Sequence, residues 1–289
     1  MLIRAVKLVG QIISALLLLS IVVTLVFRWV PIPFSALMLI RSGEMQAAGK
    51  PLKMEYRWVA LSEISPNLQK AVIAAEDQRF YEHNGFDLEA IEKAVEHNKV
   101  SKAKRGASTI SQQTAKNLYL WPSRSWLRKG LEAYFTAVIE LLWPKDRILE
   151  VYLNLAEWGD GVYGAEQAAR RYFDKTADKL TLLESARLAA CLPSPRKWNP
   201  KRPNGYVIAR AGLIAFAVKQ MEANKLLDVI GGAVSEVGGV SEEDAAEDEP
   251  TEAKEGKRKK LKVGSERSAK ADSVQRSSEV PAEDTVEEQ

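Results

Sequence analysis

Twenty consecutive uncharged residues, Leu8 to Phe27, constrain this chain more than any other feature. A helix rises about 1.5 Å per residue, so a Leu/Ile/Val-rich run of this length matches the hydrocarbon thickness of a bilayer. A cleaved secretory signal has a shorter apolar region followed by a small-x-small cleavage site. Here the run ends in Phe27-Arg28-Trp29-Val30-Pro31, which contains no such site. An uncleaved transmembrane anchor over residues 8–30 is therefore expected, preceded by a cytoplasmic N-terminus at residues 1–7. Arg4, Lys7 and the amino terminus lie before the span, Arg28 and Arg41 after it, a balance that leans toward an inside N-terminus. Trp29 suits the interface.

The far end of the chain has the opposite character. No aromatic residue follows Phe216, and from Ser241 onward there are 15 acidic and 9 basic residues. Residues 1–240 accordingly hold 32 of the 41 basic and 23 of the 38 acidic side chains, and are clearly positive. Blocky charge with few apolar residues predicts a disordered tail over residues 234–289. The basic block Lys257-Arg258-Lys259-Lys260 reads as solvated tail rather than as a nucleic-acid patch. A single cysteine, Cys191, excludes an intramolecular disulfide, and with only His83 and His97 a Cys/His zinc cluster is excluded too.

Between anchor and tail the pattern is helical. Ser65-Pro66 reads as N-cap and first helical residue, ahead of Leu68, Val72 and Ala75. Asp87 caps a helix bearing Leu88, Ile91 and Val95. Trp126 to Trp143 forms another, and Pro144 ends it and opens the next, which carries Ile148, Val151 and Leu155. Thr181-Leu182-Leu183-Glu184 is a capping box. No period-two strand series appears, and the fold is expected to be mainly α.

Glu76 ends the apolar run Ala71-Val72-Ile73-Ala74-Ala75 and opens the polar segment Asp77-Gln78-Arg79-Phe80-Tyr81-Glu82-His83-Asn84-Gly85. A carboxylate where an apolar helix gives way to a loop is placed to have its pKa raised toward that of a working base. Glu132 is a second carboxylate, inside the strongly apolar helix from Trp126. Two such carboxylates suggest chemistry at a sugar carbon. On the helix expected from Ser108 to Leu118, Thr109, Gln113 and Lys116 fall within about 60° and form one polar stripe, while Ile110, Thr114 and Leu118 share another face. The stripe alone equally describes a solvated surface. Arg105-Gly106-Ala107-Ser108-Thr109 adds a cation and free N–H groups at a helix start, an arrangement that suits an anion. Arg128 lies one turn before Glu132, which fits an i, i+4 ion pair as well as a functional pair. His83 is read as a hydrogen-bonded structural residue before a general base. Gly159 to Gly164 fits G-x-G-x-x-G without any βαβ context, and Ser101 to Lys104 fits S-x-x-K without a following K-T-G.

Taken in order, four motifs closely resemble the family 51 peptidoglycan glycosyltransferases. They are Glu76-Asp77-x-x-Phe80-x-x-His83-x-Gly85, Arg105 to Asn117, Arg128-Lys129-x-x-Glu132, and Lys145-x-x-Ile148-Leu149-Glu150-x-Tyr152-Leu153-Asn154. The sequence Leu155-Ala156-Glu157-Trp158-Gly159 looks like the monofunctional branch. The resemblance implies a lysozyme-like, two-lobed helical domain, head and jaw, over residues 61–225, with residues 31–60 as connector. It implies polymerisation of lipid II into glycan strands by an inverting transfer, with undecaprenyl pyrophosphate as leaving group. It makes Glu76 the catalytic base and Glu132 the second essential carboxylate. Asp77, His83, Ser108, Thr109, Gln113, Lys116, Asn117, Arg128 and Lys129 would line the substrate site. No tightly bound cofactor or protein-held metal is expected, with Mg or Mn as a stimulating cation. Expected partners are lipid II, the growing strand, the membrane, and penicillin-binding or other wall-synthesis proteins, with no nucleic acid. The expected location is the inner membrane, single-pass, with the catalytic domain in the periplasm. Leu118, Leu120, Trp121, Trp126 and Leu127 are candidates for dipping into the interface. A lytic muramidase and a non-catalytic wall scaffold are the alternatives.

Overall fold

The helix starts marked in the sequence are made by the hydrogen bonds expected of them. The computed structural model describes residues 2–101, 106–123 and 125–237, so Lys102 to Lys104 of the S-x-x-K match, Arg105, and residues 238–289 of the expected tail lie outside the described residues. Ten helices are described: α1 Leu2–Val26, α2 Ala36–Ala47, α3 Pro66–Glu76, α4 Leu88–Val100, α5 Ile110–Tyr119, α6 Trp126–Leu142, α7 Lys145–Leu155, α8 Ala165–Phe173, α9 Leu182–Cys191 and α10 Gly205–Val237. Ser65 Oγ accepts from Asn67 N–H at 3.3 Å to start α3, and Asp87 Oδ1 accepts from Ala90 N–H at 2.9 Å to start α4. Thr181 and Glu184 form the reciprocal capping box of α9.

Two helical groups form the body. In one, α9 packs on both α3 and α10, and α10 also on α3; in the other, α5 packs on α6 and α7 and receives α2. The core runs through both, from Leu68, Ala71 and Val72 on α3 to Ile148, Leu149 and Leu153 on α7, all fully buried. This is the mainly α, lysozyme-like arrangement expected, with one N-terminal apolar helix.

A small sheet accompanies the helices. Strands β1 Glu55–Tyr56, β2 Glu157–Gly159 and β3 Val162–Tyr163 lie in the order β1-β3-β2, with β1 parallel and β2 antiparallel to β3. Strands of two and three residues are too short to show a period of two. The G-x-G-x-x-G match is this β2–β3 hairpin. Gly161 has φ +76°, and a Cβ there would lie 2.3 Å from the Lys53 carbonyl oxygen, so the glycine answers to a tight turn against backbone.

Helix α1 starts at Leu2, ahead of the uncharged run, and ends at Val26, giving way to a turn at residues 27–29 ahead of Pro31 and Pro33. It is long and apolar enough to cross a membrane over Ile3–Val26. Its last turns are docked: Thr24 is fully buried, its hydroxyl 2.8 Å from Tyr119 Oη, and Trp143 Nε1 donates to the Thr24 carbonyl at 2.7 Å. Ser20 Oγ lies 2.9 Å from Tyr134 Oη. Arg147 donates to the Phe27 and Val30 carbonyls and stacks over Trp58.

The segment expected as a connector is instead part of the body. Ile32 and Met38 are fully buried, and Asn154 bonds both the N–H and the carbonyl of Val59, at 3.0 and 2.9 Å. Helix α6, strongly apolar in sequence, is only partly buried. Its buried positions are Glu132, Thr136 and Ile139, while Trp126, Leu127 and Leu141 are strongly exposed. Its apolar residues therefore line the outside, on the side that meets α1. Of the five residues proposed for the interface, Trp121, Trp126 and Leu127 are exposed, whereas Leu118 and Leu120 belong to the interior.

Candidate active site

Glu76 closes α3 where that helix leaves the core, so its carboxylate stands at the negative end of the helix with little solvent around it. Its side chain is 15% exposed. Gln113 Nε2 donates to Oε2 at 2.9 Å, and Arg210 Nη2 faces Oε1 at 3.6 Å. Tyr152 Oη in turn donates to Gln113 Oε1 at 3.3 Å, fixing which end of the amide meets Glu76. Burial lifts the Glu76 pKa above the ordinary glutamate value, and Gln113, Arg210 and Lys116 partly offset it. A carboxylate so placed holds one oxygen in a hydrogen bond and leaves the other with lone pairs free for a proton.

Behind Glu76 lies a buried polar lattice that binds its loop to α5. Gly85 N–H donates to His83 Nδ1 at 3.1 Å, so Nε2 carries the proton given to Asp77 Oδ1 at 2.9 Å. Asp77 Oδ2 accepts from Ile110 N–H at 2.9 Å, at the start of α5. Thr109 Oγ1 donates to the Gly85 carbonyl at 2.7 Å and accepts from Gln112 N–H to cap the helix. Both His83 nitrogens are engaged, so His83 is structural here and no base. Asp77 and Thr109 are buried and spend their side chains on the same lattice, holding Glu76 and Gln113 in register. Gly85, at φ +86°, has room for no side chain: a Cβ would lie 2.8 Å from Thr136 Cγ2 and 3.0 Å from Glu140 Cγ.

The expected polar stripe splits in two at its first residue. Helix α5 begins at Ile110 rather than Ser108, because Thr109 is its N-cap with extended backbone. Ser108 is exposed beside Gly106 and Ala107, while Gln113 and Lys116 face the interior of the cleft. Ile110, Thr114 and Leu118 form the buried face as expected. Lys116 makes no ion pair within 4.0 Å among the described residues, yet lies within reach of both carboxylates. Burial pushes its pKa below the ordinary lysine value, with Glu132 and Glu76 pulling it back upward. Glu132 is buried and receives two cations from its own helix, Arg128 on Oε2 and Lys129 on Oε1. Spacings of four and three residues on α6 thus place a pair of cations around one carboxylate.

Two cavities meet at these side chains. One, of about 740 Å³, is lined by Glu76, Ser108, Thr109, Gln113, Lys116 and Arg210 among others. The second, of about 660 Å³, is lined by Gln113, Lys116, Asn117, Arg128 and Tyr152, and beyond them by Arg41, Glu157 and Arg196. Gln113 and Lys116 belong to both, so the cleft runs from the Glu76 carboxylate past Lys116 to the Arg128 guanidinium. Lys129, 44% exposed, completes the cluster from outside.

The sequence motifs pointed to neither Arg210 nor Arg41. Arg210 lies on α10, beyond all four motifs; the one signal for it is a cation bordering the buried Val207, Ala211, Ile214 and Val218 stripe. Ser111 and Lys145, which both donate to the partly buried Glu140, were likewise missed, since nothing local marks a pairing across three helices.

A buried carboxylate and a row of cations along one cleft, in a chain with an apolar N-terminal helix, form a set suited to a group-transfer enzyme. The transglycosylase family model matches residues 44–220, more than half of the chain. The chain is 54% identical over 202 residues to a biosynthetic peptidoglycan transglycosylase of Pseudomonas putida, covering 70% of this chain and 86% of that protein. Proteins of the same name from Rhodospirillum centenum and Bdellovibrio bacteriovorus are 52% and 50% identical over 211 and 210 residues, covering 73% and 71% of this chain and 89% and 84% of theirs. The chain belongs to the transglycosylase family.

Proposed function

We propose that this protein is a peptidoglycan glycosyltransferase that polymerises lipid II, with Glu76 as the general base. The observation that carries this reading is the continuous cleft joining the Glu76 carboxylate, through Lys116, to the Arg128–Lys129–Glu132 cluster. An alkyl hydroxyl is a weak nucleophile at neutral pH, so a positioned carboxylate helps as the new C–O bond forms. In the proposed step Glu76 takes the proton of the acceptor's GlcNAc 4-hydroxyl while that oxygen attacks C1 of the donor's MurNAc. The C1–O bond to the diphosphate breaks with its electron pair, and inversion at C1 gives the β-linked strand and undecaprenyl pyrophosphate. A diphosphate departs as an anion and calls for charge neutralisation more than for an acid. Lys116, Arg128 and Lys129 provide it through charge-assisted hydrogen bonds. The two cations held on Glu132 support an orienting role for that carboxylate. Magnesium or manganese is proposed as a stimulator that shields substrate phosphates.

The apolar α1 and the outward Trp121, Trp126 and Leu127 support a cleft at the membrane surface, where a polyprenyl substrate stays. We propose single-pass insertion in the inner membrane with the catalytic body in the periplasm, among penicillin-binding and other wall-synthesis partners. A lytic muramidase shares the use of a catalytic Glu, but a neutral glycan leaving group has no need of the cation row. The deciding experiment incubates the full chain with lipid II and, separately, with polymeric glycan. Strand growth from lipid II, abolished by Glu76→Gln with unchanged circular dichroism, is expected. Near-normal turnover by that variant would remove Glu76 as base; cleavage of polymer without growth would make the protein a muramidase; neither activity would leave a scaffold.

A further inference from the structure

We infer that Arg210 is a positioning residue for Glu76: a permanent cation on α10 that keeps the base ionised and turns one oxygen of its carboxylate toward the substrate. The inference rests on the reading of Glu76 as the base and adds to it a residue from outside the four motifs.

Geometry carries the argument. Arg210 Nη2 reaches the Ala75 carbonyl at 3.5 Å and Glu76 Oε1 at 3.6 Å, so one guanidinium edge meets both the end of α3 and the base attached to it. The separation from Oε1 is longer than a hydrogen bond. Oε1 therefore feels the charge without giving its lone pairs to Arg210, whereas Oε2 is occupied by Gln113 at 2.9 Å. The two oxygens are thereby distinguished, and Glu76 and Arg210 line the same cavity. Arg210 Nε is buried without a hydrogen-bond partner among the described residues, a cost that a merely solvated surface arginine would not incur.

The electrostatics explain why a cation is required and why arginine serves. Two influences at this site favour the protonated form of Glu76, desolvation and the negative end of α3. The groups facing the carboxylate are Asp77 from its own segment, Gln113 and Lys116 from α5, Tyr152 from α7 and Arg210 from α10. Among them only Lys116 and Arg210 are cations. Lys116 is assigned to the leaving group in the proposed reaction and can itself lose its proton when buried. A guanidinium cannot, so its effect on Glu76 persists across the working pH range.

The test measures kcat/KM for lipid II polymerisation from pH 5 to 9 in the full-length chain and in Arg210→Ala, Arg210→Lys and Glu76→Gln, with circular dichroism on each. In Arg210→Ala the acid limb of the profile is expected to move to higher pH by about one unit, a roughly tenfold loss on the acid side that shrinks to a few-fold at pH 9. Arg210→Lys is expected to return the limb most of the way. An equal loss at every pH with the limb unmoved, or an unchanged profile, overturns the inference while an inactive Glu76→Gln leaves the base assignment standing. Should Arg210→Ala fail to fold, Arg210→Gln, which removes the charge but keeps a polar side chain, takes its place: an acid limb moved to higher pH supports the inference, and an unmoved limb overturns it. Turnover by Glu76→Gln overturns both.

Discussion

Lys116 shows at the scale of one residue how function is set against stability. An ammonium lowered in pKa by burial and lacking a close ion pair costs folding free energy, because its charged form has lost water without a matching contact. Lys116→Met, similar in shape and uncharged, is expected to raise stability by roughly 1 kcal/mol while abolishing strand growth; thermal melts and turnover measured together check both. A fall in melting temperature larger than the fall in turnover would make Lys116 structural. The same two shifts set the pH dependence. Glu76, its pKa raised by burial, would act as the proposed base only once deprotonated, so activity is expected to be gained as pH rises through a value above that of an ordinary glutamate. Lys116, lowered by burial, loses its charge as pH rises through a value below that of an ordinary lysine. The profile of kcat/KM is expected to be a bell with both limbs displaced inward from free Glu and Lys, and a plateau reaching pH 10 would contradict the assignment of Lys116 to the leaving group.

At the scale of elements, what was legible in the sequence was local and what was hidden was tertiary. Caps at Ser65, Asp87 and Thr181 announce helices because the bond they make spans two or three residues. The four motifs located Glu76, Gln113, Lys116 and the Arg128–Lys129–Glu132 group for the same reason. Which interface candidates face outward was hidden, since an apolar surface meant for lipid and one meant for a core have the same composition. So was the role of Asp77 and His83, which depends on the N-terminus of α5 arriving from thirty-three residues away. Arg210 approaches from 135 residues beyond Ala75, a distance no motif spans. The loop between α3 and α4 is where these elements are locked together, and Gly85 is its tightest point. Gly85→Ala combines a left-handed backbone with contacts of 2.8 and 3.0 Å to α6 side chains, so a loss of about 1–3 kcal/mol is expected in denaturant unfolding. Turnover should fall with it, because the Gly85 carbonyl receives the Thr109 hydroxyl that starts α5.

The whole molecule is organised around the joint between α1 and the body, which lie within one structural unit. The fourth motif makes much of this joint: Arg147 holds the Phe27 and Val30 carbonyls, Glu150 accepts from Leu61 N–H, and Asn154 brackets Val59. Arg147→Ala is expected to open the link between α1 and α2 to limited chymotrypsin cleavage near Phe27 and Trp29, and to lower the melting temperature, while the Glu76 end of the cleft stays formed. Resistance to cleavage equal to that of the parent chain would show that Thr24, Tyr119 and Trp143 hold the joint unaided.

A joint of this kind also changes the search problem the enzyme faces. A cleft on a slack tether would tumble above the bilayer and meet a lipid-borne sugar at random height and tilt. With α1 inserted as proposed, its docked end would fix altitude and inclination together, and leave free only translation in the plane and spin about the membrane normal. Encounter becomes a collision in two dimensions between partners already facing each other, so most of the orientational entropy of the reaction is lost when the protein folds rather than when it binds.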